Sequence, residues 1–303
     1  MATLPRPAHL LRSIPDALAQ GRTAISFEFF PPKDDAGEAA LWEAIRDLEK
    51  TRPTFVSVTY GAGGSSRDRT IRMTDRIAQE TTLTPMAHLT CVGHSVAELR
   101  SIIGHYVNVG VRNVLALRGD PQGGLDQAWV RHPDGLDHAD ELVELLRALG
   151  PFTVGVAAFP DRHPESPSLD HDADVLVRKA EAGAAFAITQ FFFTREAYVD
   201  LRDRVAARGR ELPIIPGLMP VTNVRQLARM TQLSGQPVPA AVTDRLGAVA
   251  DDPVAVREVG VEIATELARQ LLDEGAPGIH FITMNRSTAT RQVWENLGLE
   301  AAQ

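Results

Sequence analysis

The feature that most constrains this chain is a pattern that recurs eight times: a short, almost continuous apolar run, then an amphipathic stretch long enough for a helix. The runs predict strands over residues 24–30, 55–59, 86–90, 113–117, 153–158, 186–190, 214–216 and 278–283. Apolar spacing predicts helices over 37–50, 69–80, 95–109, 137–149, 171–182, 195–208, 223–233, 239–249, 252–273 and 287–297. A leading helix over 7–20 would align Leu10, Leu11, Ile14 and Leu18, and Ser95 with Glu98 has the pattern of a capping box. Strands that are apolar on both faces belong in a parallel sheet covered on both sides. The α/β class follows, as a closed (β/α)8 TIM barrel rather than an open doubly wound sheet. The open sheet normally carries Gly-x-Gly-x-x-Gly after its first strand, and that motif is missing there. A length of 303 residues suits one such barrel, so 1–303 is expected to be a single domain.

Charge and cysteine usage narrow the function. A net charge of −8 argues against a general nucleic-acid surface. No run of 18 apolar residues occurs, and the first twenty residues lack the build of a signal peptide. The expectation is a soluble, cytoplasmic protein without membrane partners. The single cysteine, Cys91, excludes an internal disulfide and any multi-cysteine metal site, and it reads as a small core residue at a strand end.

In a barrel of this kind chemistry gathers where strands end and helices have yet to begin. The unusual residues of this chain fall there. Glu28 lies near the end of the first strand, in AISFEFFPPK, ahead of a double proline. Burial would favour its neutral form and raise its pKa, which would make a proton donor for work near neutral pH; the plainer reading is a structural carboxylate paired with Lys33 or an arginine. Thr59, Tyr60 and the glycines Gly61, Gly63 and Gly64 follow the second strand, as a flexible turn or as backbone N–H groups beside an anion, and without the Lys-Ser/Thr of a P-loop. His88 to Thr90 end the third strand and Arg118, Gly119 and Asp120 the fourth. His88 could equally be a satisfied core histidine, and Arg118 with Asp120 a loop ion pair. Phe159, His163 and Glu165 follow the fifth strand, Gln190 the sixth, Pro216 to Pro220 the seventh, Asn285 and Arg286 the eighth. Phe191 to Phe193 are core or flank a flat aromatic ligand. The acidic run Asp170, Asp172, Asp174 reads as the first turn of a helix, favoured by its dipole, rather than as a metal site. No nucleophile with an adjacent base and no zinc motif appears. An acid, a second carboxylate, amide and hydroxyl donors, cations and aromatic walls suit redox chemistry carried by a bound planar cofactor.

Taken together, SFEFFPPK, FVSVTYGAGGSSRDRT, HLTC, LALRGDP, AAFPDRHPES, AITQFFF, PIIPGLMPVTN and HFITMNRS resemble the methylenetetrahydrofolate reductase family, in order and across most of the chain. The resemblance is to the short bacterial form, without a C-terminal regulatory domain. It implies an FAD-dependent barrel that reduces 5,10-methylenetetrahydrofolate to 5-methyltetrahydrofolate with NADH or NADPH by a ping-pong route, in the supply of methyl groups for methionine. On this resemblance Glu28 is the general acid, and Asp120 stabilises developing positive charge near the flavin. The FAD would be lined by Tyr60, Ala62, His88, Arg118, Gly119, Asp120, His138, Ala139, Phe159, His163, Asp172, Arg178 and Lys179. Thr59, Gln190, Gln226, Met230 and Arg286 would meet the alternating substrates. A homo-oligomer is also a family expectation.

Three positions depart from the family pattern. His138 and Phe159 stand where some members have tyrosines near the flavin, and Met230 where a phenylalanine can pack on the substrate. The changed flavin contacts leave room for an alternative, direct hydride transfer from the nicotinamide to the folate without flavin. A non-catalytic folate- or flavin-binding paralogue is a third reading, disfavoured because the acid, the carboxylate and the substrate amide are all present.

Overall fold

A computed structural model describes residues 13–19, 21–60, 64–121, 127–235 and 238–299. Eight parallel strands close in chain order: β1 (Ala24–Phe29), β2 (Phe55–Val58), β3 (Pro85–Thr90), β4 (Asn113–Leu117), β5 (Thr153–Ala158), β6 (Phe186–Phe191), β7 (Ile214–Leu218) and β8 (Gly278–Ile282). Closure is made by β1, whose Ser26 and Glu28 stand in register with His280 and Ile282 of β8. The helices are α1 (Ile14–Ala19), α2 (Asp35–Glu49), α3 (Gly64–Glu80), α4 (Val96–Asn108), α5 (Ala139–Leu149), α6 (Leu169–Glu181), α7 (Arg195–Ala207), α8 (Val224–Ser234), α9 (Ala240–Gly247), α10 (Pro253–Asp273) and α11 (Thr288–Asn296). The architecture is the expected (β/α)8 barrel, and the capping box of Ser95 and Glu98 is formed. One boundary differs by more than two residues at a functional loop: α3 begins at Gly64 where Arg69 was expected. Gly61 to Gly63 lie outside the described residues, and Ser65 and Ser66 are residue types that suit a helix N-terminus.

Strand alternation sorts the side chains into two cores. Outward residues such as Phe27, Phe29, Val56, Val58, Val154, Val156, Ile279 and Phe281 meet the helices in one large apolar cluster. Inward residues Phe55, Met86, Leu115, Phe186, Ile188 and Ile215 fill the lower half of the barrel, and Ile14 of α1 joins them. That helix therefore closes the end where strands begin. Gly155 makes the floor possible: a Cβ there would lie 2.6 Å from the Phe186 ring. Above this floor the inward positions turn polar, with Ser26, Glu28, Ser57, His88, Gln190 and His280.

The floor sets an expectation for stability. Phe186 is fully buried and packs on Phe55 at 6.1 Å between ring centroids. Phe186→Ala should cost about 3–5 kcal/mol, because close packing around the remaining rings limits collapse into the space left. A urea titration that finds the midpoint unmoved would show that the floor does not carry this load.

Candidate active site

Glu28 stands at the centre of the polar layer. Its side chain is only 14% exposed, and its Oε2 atom faces two ring nitrogens, His88 Nε2 at 3.6 Å and His280 Nε2 at 3.5 Å. Both rings are buried, at 4% and 1% exposure. Burial alone would raise the Glu28 pKa, but the hydrogen bond from His280 and the electrostatic attraction of the two imidazole rings together outweigh it and hold the carboxyl below its ordinary value. The expected upward shift is thus corrected by two neighbours, and the expected alternative partners, Lys33 or an arginine, are replaced by the same two rings. His88 moves down, to about 4, because burial disfavours its cation more than Glu28 favours it.

The end of β8 holds Glu28 in place from above. Thr283 donates both its hydroxyl, at 2.7 Å, and its backbone N–H, at 3.1 Å, to the Glu28 carbonyl. Met284 and Asn285 then take left-handed backbone conformations, φ 51° and 59°, which cost energy for residues with a Cβ. The Asn285 amide offsets this by accepting from Phe30 N–H at 2.8 Å and donating to Phe30 C=O at 2.9 Å. Arg286 is left exposed beside this turn.

Around the rim, the loops after β4 and β5 are tied together. Arg118 pairs with Glu165, not with the neighbouring Asp120, and its guanidinium lies 5.3 Å above the Trp129 ring. Trp129 donates its indole N–H to Gly119 C=O. Gly119 has φ 85°, and a Cβ on it would meet Val92 at 2.5 Å, so no other residue fits this crossing. Asp120 is exposed next to it. His163 accepts from Glu165 N–H, donates its own N–H to Asp172, and meets Phe159 edge-on at 4.6 Å. Lys179 is lowered to about 8, by burial first and then by the nearby Arg178 and Arg118, despite Asp140 and Asp172; its ammonium donates to Ala157 C=O. Arg178 is exposed, 3.9 Å from Asp140 in the first turn of α5. His138 is the N-cap of that helix, with Ala139 buried after it, and makes no side-chain cap hydrogen bond. Tyr60 hydroxyl bonds His94 Nε2 at 3.1 Å. Asp170 and Asp174 pair with Arg204 and Arg208.

On the opposite side, Phe30, Phe193, Met230 and Met284 are half-buried against one apolar cluster. Gln190 accepts from Phe191 N–H, and Gln226 donates its N–H to the Asn223 cap of α8. Thr59, half-buried, accepts at its carbonyl from Thr70. Phe191 and Phe192 are core, which resolves that run in favour of packing for its first two members. Ala62 lies outside the described residues. Sequence reasoning did not single out Ser26, His94, Trp129 or His280. The signal for His280 was available: it is a histidine inside an otherwise apolar strand, as His88 is.

A planar group fits this rim on its own evidence. Buried polar atoms with no partner, Ser57 Oγ and Thr90 Oγ1, lie on or at the end of strands lining one side. Nearby, burial first and then the positive charge of Arg118 lower both His163 and Lys179, so an anion bound among these three side chains would be favoured. A barrel with a buried carboxylate under an anion-receiving rim defines an enzyme of the α/β barrel class. The family model described as methylenetetrahydrofolate reductase matches residues 13–298. A 5,10-methylenetetrahydrofolate reductase of Pectobacterium carotovorum subsp. carotovorum is 41% identical over 281 residues, 92% of each chain. That of Escherichia coli (strain K12) is 38% identical over 283 residues, 93% of each. In fold alone, the chain is similar to a Clostridium thermocellum protein described as binding two copies of 5-methyl-5,6,7,8-tetrahydrofolic acid, with TM-score 0.63, 15% identity, and coverage of 93% of this chain and 96% of that one. The chain belongs to the methylenetetrahydrofolate reductase family. It is an enzyme that reduces methylenetetrahydrofolate to methyltetrahydrofolate.

The buried histidine gives this site a pH signature. Below the ordinary histidine value of 6.5 the unfolded chain takes up a proton that folded His88 refuses until about pH 4. Stability should therefore fall across that window, by on the order of 3 kcal/mol for this group, with Glu28 acting in the same direction below 4.5. Urea midpoints at pH 7 and pH 4.5 should differ less in His88→Gln than in the parent.

Proposed function

We propose that the chain is a flavin-dependent methylenetetrahydrofolate reductase with FAD as cofactor, NADH or NADPH as co-substrate, a ping-pong order and a role in supplying methyl groups for methionine. The observation that carries the reading is Glu28: a carboxyl at the mouth of the barrel, hydrogen-bonded at one oxygen by His280 with His88 3.6 Å from the same oxygen, and held at its backbone by Thr283. FAD would supply the hydride, having taken it from the nicotinamide before the folate enters. Lys179, Arg118 and His163 are the groups suited to its phosphates and ribityl chain, with Arg178 and Asp172 supporting them. Tyr60, Ala62, His88, Gly119, His138, Ala139 and Phe159 complete its surroundings.

Glu28 gives its proton to the bridging ring of the folate, which opens to an iminium that accepts the hydride. Its carboxyl is held low in the free protein. A ring stack over the barrel mouth removes the remaining water and strengthens the burial effect, which moves the carboxyl back towards a usable acid. Asp120 stabilises the developing cation. Gln190 holds the pterin edge and Thr59 the alternating substrate, while Gln226 and Met230 on α8 line the folate and Arg286 receives its glutamate tail. A thioether packs on a flat ring, so Met230 serves where a phenylalanine would. We place the enzyme in the cytoplasm as a homo-oligomer of single-barrel subunits, in keeping with its acidic charge and family.

Two measurements test this. Protein purified without added cofactor should show the absorption of an oxidised flavin, bleached anaerobically by NADH and restored by methylenetetrahydrofolate; colourless protein that turns over without FAD would replace this reading with direct transfer from the nicotinamide. Glu28→Gln should lower folate reduction about 10²–10⁴-fold while leaving NADH oxidation by an artificial acceptor within a few-fold. Undiminished folate reduction in that variant removes Glu28 from the mechanism.

A further inference from the structure

Behind Glu28, Ser26 is used by nothing described so far, and His280 only as a neighbour of the carboxylate. Ser26 and His280 face each other across the β1–β8 seam, with Ser26 Oγ 2.7 Å from His280 Nδ1 and only 3.5 Å from its other acceptor, Ile279 C=O. The His280 ring is stacked on Phe55, 5.6 Å between centroids and 19° from parallel, so it cannot turn freely. Its far nitrogen, Nε2, faces Glu28 Oε2. The titratable groups facing this carboxyl are His88 from β3 and His280 from β8, and both address the same oxygen.

The geometry points to Ser26 and His280 as positioning residues that fix which oxygen of Glu28 carries the transferable proton. This rests on the reading of Glu28 as the acid. The seryl hydroxyl has one short acceptor, Nδ1, and donates to it; a neutral ring with Nδ1 as acceptor holds its hydrogen on Nε2. That N–H points at Oε2, where a lone pair would face the lone pairs of the carboxylate. Oε2 is then a standing acceptor in both protonation states, and the proton that Glu28 gains and gives resides on Oε1. No proton moves along the Ser26–His280 pair during turnover. The pair ends at Ser26, whose one hydroxyl hydrogen is committed to Nδ1, so it orients without conducting.

The same donor stabilises the ionised carboxylate. Removing it should shift the titration of Glu28 upward by about one pH unit, the tenfold change that an ordinary hydrogen bond to a charged group corresponds to.

The test begins with ¹⁵N-histidine NMR of the parent protein at pH 7 without folate, assigned with His280→Asn. The expected spectrum has His280 protonated at Nε2 with Nδ1 as acceptor; a ring protonated at Nδ1 overturns the proposal. Folate reduction is then followed against pH. In His280→Asn, and to a lesser degree in Ser26→Ala, the alkaline limb should move up by about one unit as the maximal rate falls, with nicotinamide oxidation by an artificial acceptor unchanged. A limb that stays in place, or equal losses in both reactions, reduces the pair to packing. If the parent reduces no folate at all, the proposed function fails, and the positioning role with it, while the tautomer measurement still decides how Ser26 and His280 orient the hydrogen bond to Glu28.

Discussion

The structure depends on the seam between the first strand and the last. A parallel barrel has no edge only if β1 and β8 meet, and here that meeting brings Ser26 into register with His280 and Glu28 with Ile282. One closure therefore removes the open sheet edge and assembles the acidic centre. The same seam continues above the strands, where Thr283 and Asn285 replace ladder hydrogen bonds with side-chain ones to Glu28 and Phe30. Two successive left-handed residues are tolerated because these bonds over-determine the turn.

Division of labour along the barrel axis follows from the same alternation. Inward positions near the strand starts are bulky and apolar and are stopped by α1, so the lower barrel is solid. Inward positions higher up are small or polar, so the upper barrel can hold chemistry without a void beneath it. The surrounding rim carries basic side chains on one side, with Lys179 and His163, and apolar surfaces on the other, with Met230 and Phe193.

Much of this was legible in the chain. The eight-unit rhythm was visible because both faces of a buried parallel strand are apolar, which leaves a short run that helices interrupt. Glu28 and His88 stood out because charged or polar residues within apolar strands are costly to bury. Less visible was where α3 begins, since glycines and serines serve equally in a loop and in a first helical turn. The pairing of Arg118 with Glu165 joins loops 47 positions apart. No local pattern announces such a contact.

What the sequence determined by itself was the number and order of the elements, the closed parallel sheet they imply, and the polar residues that interrupt its apolar strands. Each of these is written in local periodicity or in the expense of a buried polar side chain. Tertiary structure alone decided the state of those residues. Burial by itself pushes Glu28 towards the neutral form, and only the closure of β8 onto β1, with β3 beyond β2, brings two imidazole rings to one carboxylate oxygen and reverses the sign. Electrostatic interaction depends on distance through space, and the distances that matter here join positions 28, 88 and 280, which the chain separates by most of its length.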